Sequence, residues 1–96
     1  MDPVEFPING ELDLHTFRPS EVHSLVPEYI DECITREIFS LRIIHGKGIG
    51  TLRETVHAIL RKREDVAAFE LAPPNQGGWG TTLVRLKSPQ ADKSKG

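Results

Sequence analysis

The stretch LRIIHGKGIGTLRETVHAILRKR, residues 41–63, decides the fold of this chain. Its first four residues are typical of a short buried strand, which closes on His45. A glycine-rich segment, residues 46–50, follows at once, and the apolar side chains after it recur at helical spacing. Thr51 and Glu54 have the spacing of a capping box, and the basic residues at the end of the stretch suit the last turn of a helix. The stretch therefore predicts a strand, a tight loop and a helix that ends near residue 63.

The segments on either side supply the remaining elements. Upstream, the strict alternation of ELDLH, residues 11–15, predicts a strand, and a helical apolar stripe begins at Pro19. Pro27 lies inside that stripe, where it removes a backbone hydrogen bond, so we expect a kink or two short helices. Downstream, residues 66–71 and 81–87 predict two further strands. The predicted order is β-α-β-α-β-β.

This order predicts an α/β fold of the α+β type, a two-layer sandwich built on a four-stranded mixed sheet. Two helices cannot cover both faces of such a sheet, so one face should be largely open. We expect the first two βα units to be right-handed parallel crossovers and the last two strands to pair antiparallel. A chain of 96 residues has room for one core. We assign that core to residues 11–87, with an extended arm at 1–10 and a disordered polar tail at 88–96.

The composition favours a soluble globular protein of the reducing cytoplasm. Hydrophobic residues make up 38% of the chain and charged residues 27%, and no apolar run approaches the roughly 18 residues that a membrane span needs. The N-terminus lacks the features of a signal peptide. The single cysteine, Cys33, falls on the apolar helical stripe, which favours a small buried hydrophobe. No membrane partner is expected.

The charges are unevenly distributed, although the formal net charge is only −2. Residues 1–35 carry eight acidic side chains and one basic, whereas residues 36–63 carry seven basic and two acidic. An acidic first third beside a basic middle third is typical either of a dipolar molecule with one anion-binding side or of two solvated helix faces.

Several chemically active side chains fall where the predicted strands end. In parallel βα units, ligands gather where the carboxyl ends of strands meet the amino ends of helices. We therefore expect four candidate catalytic residues to converge at one edge of the domain: Asp13, His15, His45 and Lys47.

The glycine loop suits an anion. Gly46, Gly48 and Gly50 let backbone N–H groups approach a ligand without obstruction by a Cβ atom, and the following helix directs its positive end there. Lys47 adds a full charge, and Arg53 lies one turn into the helix. The loop matches neither a Walker A motif, which needs Ser or Thr after Gly-Lys, nor a dinucleotide-binding fingerprint. A generic phosphate cradle and a flexible strand-to-helix turn are the two interpretations.

The histidines at the strand ends suit two kinds of chemistry. An imidazole oriented by a carboxylate can activate water or protonate a leaving oxygen. Asp13, His15 and His45 could instead ligate a divalent cation such as Mg²⁺ or Mn²⁺, although the Asp-x-His spacing alone assigns no metal ligand. Asp13 also has a structural alternative, as an acceptor for N–H groups of the glycine loop. His23 and His57, on the predicted helices, are interpreted as structural.

Trp79 stands between glycines in the connection before the last strand. An exposed aromatic ring in such a loop can stack on an unpaired base. The ring can equally fold back to cover the edge of the sheet. The sequence leaves both interpretations open.

Three segments together resemble a known family. The motifs LDLH (12–15) and HGKG (45–48), with the closing GGWGTTLVRLK (77–87), resemble the Smr, or small MutS-related, domain over residues 11–87. The resemblance implies a fold like the C-terminal domain of translation initiation factor three. It also implies binding to DNA or RNA, often with nicking or endonuclease activity, and a role in DNA repair or recombination. The motifs of the family map onto residues 12–15 and 45–48.

Two features set this chain apart from the common family pattern. Thr16 follows LDLH where the family commonly has glycine, and this side chain would narrow the site or cap the first helix. The chain also lacks the ATPase, clamp or pentatricopeptide regions to which such domains are often fused. We therefore expect a stand-alone bacterial type of Smr protein, in which this domain or a protein partner selects the target.

Three functional hypotheses follow. The first is a nucleic-acid endonuclease, in which Lys47 and the loop amides hold a phosphate, Asp13 with a histidine activates water, and Arg42 and Arg53 hold flanking phosphates. The second is a non-catalytic module that binds structured, branched or single-stranded nucleic acid through the same cradle. The third is a protein-interaction adaptor that uses the open sheet face and Trp79.

Overall fold

A computed structural model describes residues 8–48 and 50–88. Within these ranges the chain forms four strands and two helices in the predicted β-α-β-α-β-β order. They are β1 (Glu11–Asp13), α1 (Pro19–Thr35), β2 (Ser40–Ile44), α2 (Thr51–Lys62), β3 (Val66–Leu71) and β4 (Thr81–Leu86). Short 3-10 turns occupy Leu14–Thr16, Pro74–Gln76 and Gly78–Gly80. The predicted fold class is confirmed.

The sheet is mixed, with the strand order β1-β2-β4-β3. The first two strands pair in parallel, and β4 pairs antiparallel with both β2 and β3. The prediction that the last two strands pair antiparallel is therefore confirmed. Because β4 lies between β2 and β3, the connection through α2 crosses over a strand instead of joining two neighbours.

The core lies on one face of the sheet. Alternate residues of β2 and β4 are buried on that face together with the inward stripes of both helices. The opposite face carries more exposed side chains, including Ser40 and Arg85, as expected for a two-layer sandwich with one open face. Cys33 is fully buried in α1, in agreement with its interpretation as a small core hydrophobe. The core comprises Leu12, Leu14, Val22, Val26, Tyr29, Ile30, Cys33, Leu41, Ile43, Val56, Leu60, Val84 and Leu86.

The first strand is shorter than predicted. It ends at Asp13, and residues 14–16 form a 3-10 turn, because the Asp13 carboxylate accepts a hydrogen bond from the backbone N–H of His15. Such a local bond competes with continued strand pairing. The predicted strand over 11–15 is therefore wrong at its last two residues, and β4 likewise ends one residue early, at Leu86.

Of the two predicted effects of Pro27, a kink or a division into two short helices, the division does not occur, because α1 is one helix from Pro19 to Thr35. A proline at this position leaves the carbonyl of His23 without its usual partner, but His23 is exposed and water can satisfy that group. Val26 and Ile30, on either side of the proline, are fully buried. Their packing on the sheet holds the helix together across the break.

The second helix begins differently from the prediction. Gly50 is its N-cap, with φ of +85°, and Thr51 is the first helical residue. No side chain caps this end of the helix, so the predicted capping box of Thr51 and Glu54 is wrong. The start of α2 therefore leaves backbone N–H groups of its first turn without a side-chain cap.

The ends of the domain are only partly described. The predicted arm at 1–10 and tail at 88–96 fall mostly outside the described residues. Gly10 is buried, donates its N–H to the Tyr29 hydroxyl and accepts a hydrogen bond from the Arg42 N–H, so packing begins before residue 11. Among the described helices, none combines the length and apolarity needed to cross a membrane.

Candidate functional site

Three loops meet at one edge of the sheet. Asp13, the last residue of β1, lies opposite Ile44, the last residue of β2, and Ile44 pairs with Thr81 at the start of β4. The backbone N–H groups of His45 and Gly46 both donate to the carbonyl of Gly80, at 3.0 and 2.9 Å. We call residues 13–16, 45–48 and 77–80 the motif edge. The predicted convergence of the two motif loops is therefore a property of the strand register.

An aspartate and a histidine form a hydrogen-bonded pair at this edge. Oδ1 of Asp13 lies 2.7 Å from Nδ1 of His15 and also accepts from the His15 backbone N–H. Because an ionised carboxylate can only accept, Nδ1 carries the proton and Nε2 carries the lone pair. The His15 side chain is 72% exposed, so Nε2 is accessible to a ligand.

The pair keeps Asp13 ionised. Burial acts to raise the pKa of the Asp13 carboxyl. The hydrogen bonds from the side chain and backbone of His15, together with the electrostatic interaction with its ring, act in the opposite direction and prevail, so the pKa lies below its ordinary value. None of the described hydrogen bonds of Asp13 goes to residues 46–48, so the alternative role as an anchor for the glycine loop has no support among them.

The glycine loop leaves open space at its surface. Gly46 has φ of +86°, which a residue with a side chain rarely adopts. A Cβ atom added at Gly46 or at Gly48 would meet nothing within 4 Å. The uncapped start of α2 lies two residues beyond Gly48. Free space beside the positive end of a helix is a setting that suits an oxyanion, and we refer to this surface of residues 46–50 as the predicted cradle.

Two basic side chains border this cradle. The stem of Lys47 crosses the Gly78–Gly80 turn so closely that a Cβ atom at Gly80 would lie 3.0 Å from Cγ of Lys47. Arg53 reaches back over Gly50, where its Nη2 would lie 3.2 Å from an added Cβ atom. Both residues are therefore at the loop, as predicted from their sequence positions.

His45 is at the motif edge, but its ring does not face outward. The residue is 5% exposed, its Nδ1 lies 3.2 Å from the Gly46 carbonyl, and its Nε2 lies 2.8 Å from Oγ1 of Thr82. Both nitrogens are occupied within the protein, which contradicts the expectation that this ring acts on a ligand. The alternation Leu41, Ile43, His45 along β2 was the signal that placed it on the buried face.

His57 and Thr82 complete a buried polar cluster with His45. Nε2 of His57 lies 2.8 Å from the same Thr82 hydroxyl, and its ring packs on Phe69 with a centroid distance of 4.9 Å. Desolvation by burial lowers the pKa of both histidines. The structural interpretation of His57 agrees with these contacts, whereas Thr82 was not singled out from the sequence.

Arg42 lies away from the cradle. It projects from the middle of β2 on the open face, where its Nη1 binds Glu11 Oε2 at 2.9 Å and its Nη2 donates to the Gln76 carbonyl at 3.2 Å. A cavity of about 590 Å³ on that face includes Arg42 but neither Asp13 nor Lys47. The structure therefore does not bring Arg42 together with the other predicted site residues.

Trp79 remains exposed. It is 61% accessible and belongs to the Gly78–Gly80 turn that contacts Lys47. The alternative in which the ring folds back over the sheet edge is therefore wrong. An exposed aromatic ring in a turn next to a lysine is of a kind that can stack on a nucleobase.

The arrangement fits a divalent cation poorly. The described residues contain no group of three or more His, Cys, Asp or Glu side chains that could hold a metal ion. His45 is turned away, and Asp13 is already bonded to His15. A smaller cavity of about 420 Å³ next to Asp13 is lined by Glu11, Thr16 and Ile44 among others, but Glu11 is paired with Arg42. We therefore derive no chemical step through a metal.

These features define a class: a two-layer α+β domain with a glycine-rich strand-to-helix loop and an Asp–His pair at one edge of a mixed sheet. A protein-family model described as the Smr domain matches residues 12–87. The chain therefore belongs to the Smr domain family.

Individual relatives agree with this assignment. The chain is 38% identical over 80 residues to "Endonuclease MutS2" of Staphylococcus carnosus, covering 83% of this chain and 10% of that protein. It is similar to the crystal structure of the Smr domain of Thermus thermophilus MutS2, with a TM-score of 0.77 and 35% identity, covering 82% of this chain and 99% of that one. It also resembles YdaL, a stand-alone small MutS-related protein from Escherichia coli, with a TM-score of 0.74 and 27% identity over 88% of this chain and 69% of that one. The chain spans about a tenth of the length of the MutS2 relatives it matches.

Proposed function

We propose that this protein binds nucleic acid at the motif edge and cleaves a phosphodiester there. The observation that supports the proposal is the register of β1 and β2, in which Asp13, bonded to His15, lies opposite Ile44, two residues before Gly46. The similarity to proteins named as endonucleases supports the same reaction class.

Binding begins with the phosphate. Backbone N–H groups of the first turn of α2, and those of the glycine loop other than Gly46, whose N–H binds the Gly80 carbonyl, would donate to its oxygens. Lys47 would supply the compensating charge. Arg53 would contact a neighbouring phosphate. The exposed ring of Trp79 would stack on an unpaired base next to it, which favours single-stranded or locally opened substrates.

Cleavage would use His15 as the proton-transfer group. Its Nε2 lone pair would accept the proton of the attacking water while the oxygen bonds to phosphorus and the leaving oxygen departs. Asp13 holds Nδ1–H, which keeps the ring in the tautomer that this step requires. The ionised carboxylate also stabilises the imidazolium that the step creates.

The test is a cleavage and binding panel on purified protein. Substrates are single-stranded, branched and supercoiled DNA and single-stranded RNA, each with Mg²⁺, with Mn²⁺ or with a chelator. Asp13→Asn should reduce cleavage at least about 100-fold while binding persists. Lys47→Ala should weaken binding and lower its salt dependence by about one ion, whereas Lys62→Ala, a matched change at the far end of α2, should do neither. Absence of cleavage on every substrate would end the enzyme hypothesis.

A non-catalytic binding module is the second candidate. Thr16, where the family commonly has glycine, is exposed and lines the cavity next to Asp13, which narrows the space open to a scissile phosphate. In this case Lys47→Ala weakens binding, Asp13→Asn leaves it intact, and the wild-type protein shows no cleavage. If the Thr16 side chain is what prevents cleavage, the Thr16→Gly variant should cleave a substrate that the wild-type protein leaves intact.

A protein-interaction adaptor is the third candidate, because the open sheet face carries the cavity around Arg42. A partner bound there could also select the nucleic-acid target. Retention of a partner by an Asp13→Asn, Lys47→Ala double variant that no longer binds nucleic acid would support this role.

A further inference from the structure

We propose that Thr82 and His57 are positioning residues, which set the shape of the glycine loop through the buried ring of His45. The inference rests on the proposed function only where the binding of phosphate is measured. Its structural part concerns the free protein and can be tested without any ligand.

Two buried groups, His45 and Thr82, and the half-buried His57 form one continuous series of hydrogen bonds. Thr82 is fully buried on the inner face of β4, and its Oγ1 lies 2.8 Å from Nε2 of His45 and 2.8 Å from Nε2 of His57. The two rings approach edge to face, with centroids 6.1 Å apart. One hydroxyl thus joins β2, β4 and α2.

The donor and the acceptor in each of these hydrogen bonds follow from the Gly46 carbonyl, at which the series ends. The Gly46 carbonyl can only accept, so Nδ1 of His45 carries a proton and donates to it. In a neutral ring Nε2 of His45 is then an acceptor, and the Thr82 hydroxyl must donate to it. Oγ1 of Thr82 is left to accept from Nε2–H of His57. The arrangement requires one tautomer of each ring: Nδ1–H for His45 and Nε2–H for His57.

Protonation would break this order. A charged His45 would direct a second N–H at Thr82, so the Thr82 hydroxyl would turn its own proton to His57 and that ring would have to change to the Nδ1–H tautomer. The groups around the rings oppose such a charge: Arg53 and Arg61 repel it and Glu54 is the opposing acid, while burial lowers the pKa of each histidine. The neutral, ordered series is therefore the stable form near neutral pH.

This series of hydrogen bonds ends on the backbone of the glycine loop, at the Gly46 carbonyl. His45 holds the Gly46 carbonyl, the Gly46 N–H is bound to the Gly80 carbonyl, and Lys47 follows directly. With both of its polar groups fixed, Gly46 is kept at its left-handed φ. The same series of hydrogen bonds reaches α2 through His57, and the first turn of that helix, directly after the glycine loop, has no side-chain cap. Thr82 therefore couples the two sources of N–H donors that the proposed anion would need.

The first measurement is the tautomer of each ring, from ¹⁵N imidazole chemical shifts of the wild-type protein at pH 7.5. We expect Nδ1–H for His45 and Nε2–H for His57. Any other tautomer of His45, or a charged ring at this pH, would overturn the proposal. Because no variant is involved, this result does not depend on the folding of a mutant.

The second measurement compares Thr82→Val, which removes the hydroxyl at constant shape, with Thr82→Ser, which retains it. We expect Thr82→Val to speed hydrogen exchange at the Gly46 amide and to weaken binding of inorganic phosphate about tenfold. Thr82→Ser should restore both properties. The Ile30 amide, deep in α1, reports global opening, and equal acceleration at Ile30 and Gly46 would reduce the role of Thr82 to general stability and overturn the proposal.

The two proposals fail separately. If Lys47→Ala leaves phosphate binding unchanged, the proposed cradle is wrong, whereas the tautomers and the Gly46 exchange still decide the role of Thr82. If Lys47→Ala weakens binding and a folded Thr82→Val variant binds like wild type, the cradle stands and the positioning role is refuted.

Discussion

Gly48→Ala should weaken ligand binding without lowering the stability of the protein. Gly48 lies outside the left-handed region, and an added Cβ atom would meet nothing within 4 Å. The substitution restricts the unfolded chain, so the free energy of unfolding should stay equal or rise by about 0.4–1 kcal/mol. For a domain of this size the melting temperature would rise by up to about 8 °C.

The same methyl group would occupy the space proposed for a phosphate oxygen. Loss of one N–H hydrogen bond to a charged ligand costs about 1.5–3 kcal/mol, which corresponds to a roughly 10- to 150-fold weaker Kd. Gly46→Ala is the contrasting variant: its site is equally open, but its φ of +86° should cost about 1–2 kcal/mol of stability.

Thermal unfolding by circular dichroism and fluorescence anisotropy with a labelled single-stranded oligonucleotide, at fixed salt, measure the two effects. The reasoning is refuted if Gly48→Ala unfolds at or above the wild-type temperature and binds the oligonucleotide with wild-type affinity. It is also refuted if Gly48→Ala loses as much stability as Gly46→Ala.

Three further predictions concern stability and specificity. The pKa values of His45 and His57 lie below the ordinary 6.5 in the folded protein, so the unfolded state binds more protons below about pH 6.5. The free energy of unfolding should therefore fall as the pH is lowered from 7.5 to 5.5. If urea unfolding shows a rise over this range, the two histidines are not held neutral in the folded protein. Tyr29→Phe removes a hydroxyl that accepts from the Gly10 N–H at 3.0 Å and should cost about 2 kcal/mol, or about 8–16 °C in Tm; a Tm within about 2 °C of wild type would be inconsistent with this role. Trp79→Ala should weaken binding to single-stranded oligonucleotides by about 1–3 kcal/mol and binding to blunt duplexes much less, and an equal loss on both would argue against base stacking.

The strand, loop and helix over residues 41–63 were predictable because their signals are local. Apolar periodicity and three closely spaced glycines act within a few residues of one another, and the observed β2 and α2 lie within one residue of the prediction. The rule that the carboxyl ends of parallel strands meet at one edge likewise predicted that Asp13, His15, His45 and Lys47 converge there. The strand register then accounts for that proximity, since Asp13 lies opposite Ile44.

Other features depended on contacts that no local pattern contains. The position of β4 between β2 and β3 is set by long-range pairing. The continuity of α1 through Pro27 depends on packing of its neighbours against the sheet. The start of α2 depends on Gly50 adopting a left-handed conformation, which displaced Thr51 from the capping position.

His45 shows how a motif can mislead about a side chain. Its place beside Gly46 and Lys47 suggested a role in catalysis, whereas its alternation with Leu41 and Ile43 indicated a buried ring. The structure follows the alternation. The polar partners of that ring, Thr82 and His57, come from elements distant in sequence, so their cluster could be recognised only in three dimensions.

The central claim is that one anion contacts both motif loops. The most direct test is a titration of ¹⁵N-labelled protein with a short single-stranded oligonucleotide, held under non-cleaving conditions and followed by NMR. The account predicts that the amides of Gly46 and Gly48 and the ring nitrogens of His15 shift together, with a single Kd. Shifts confined to one loop, or two distinct affinities, would show that the motifs do not form one site.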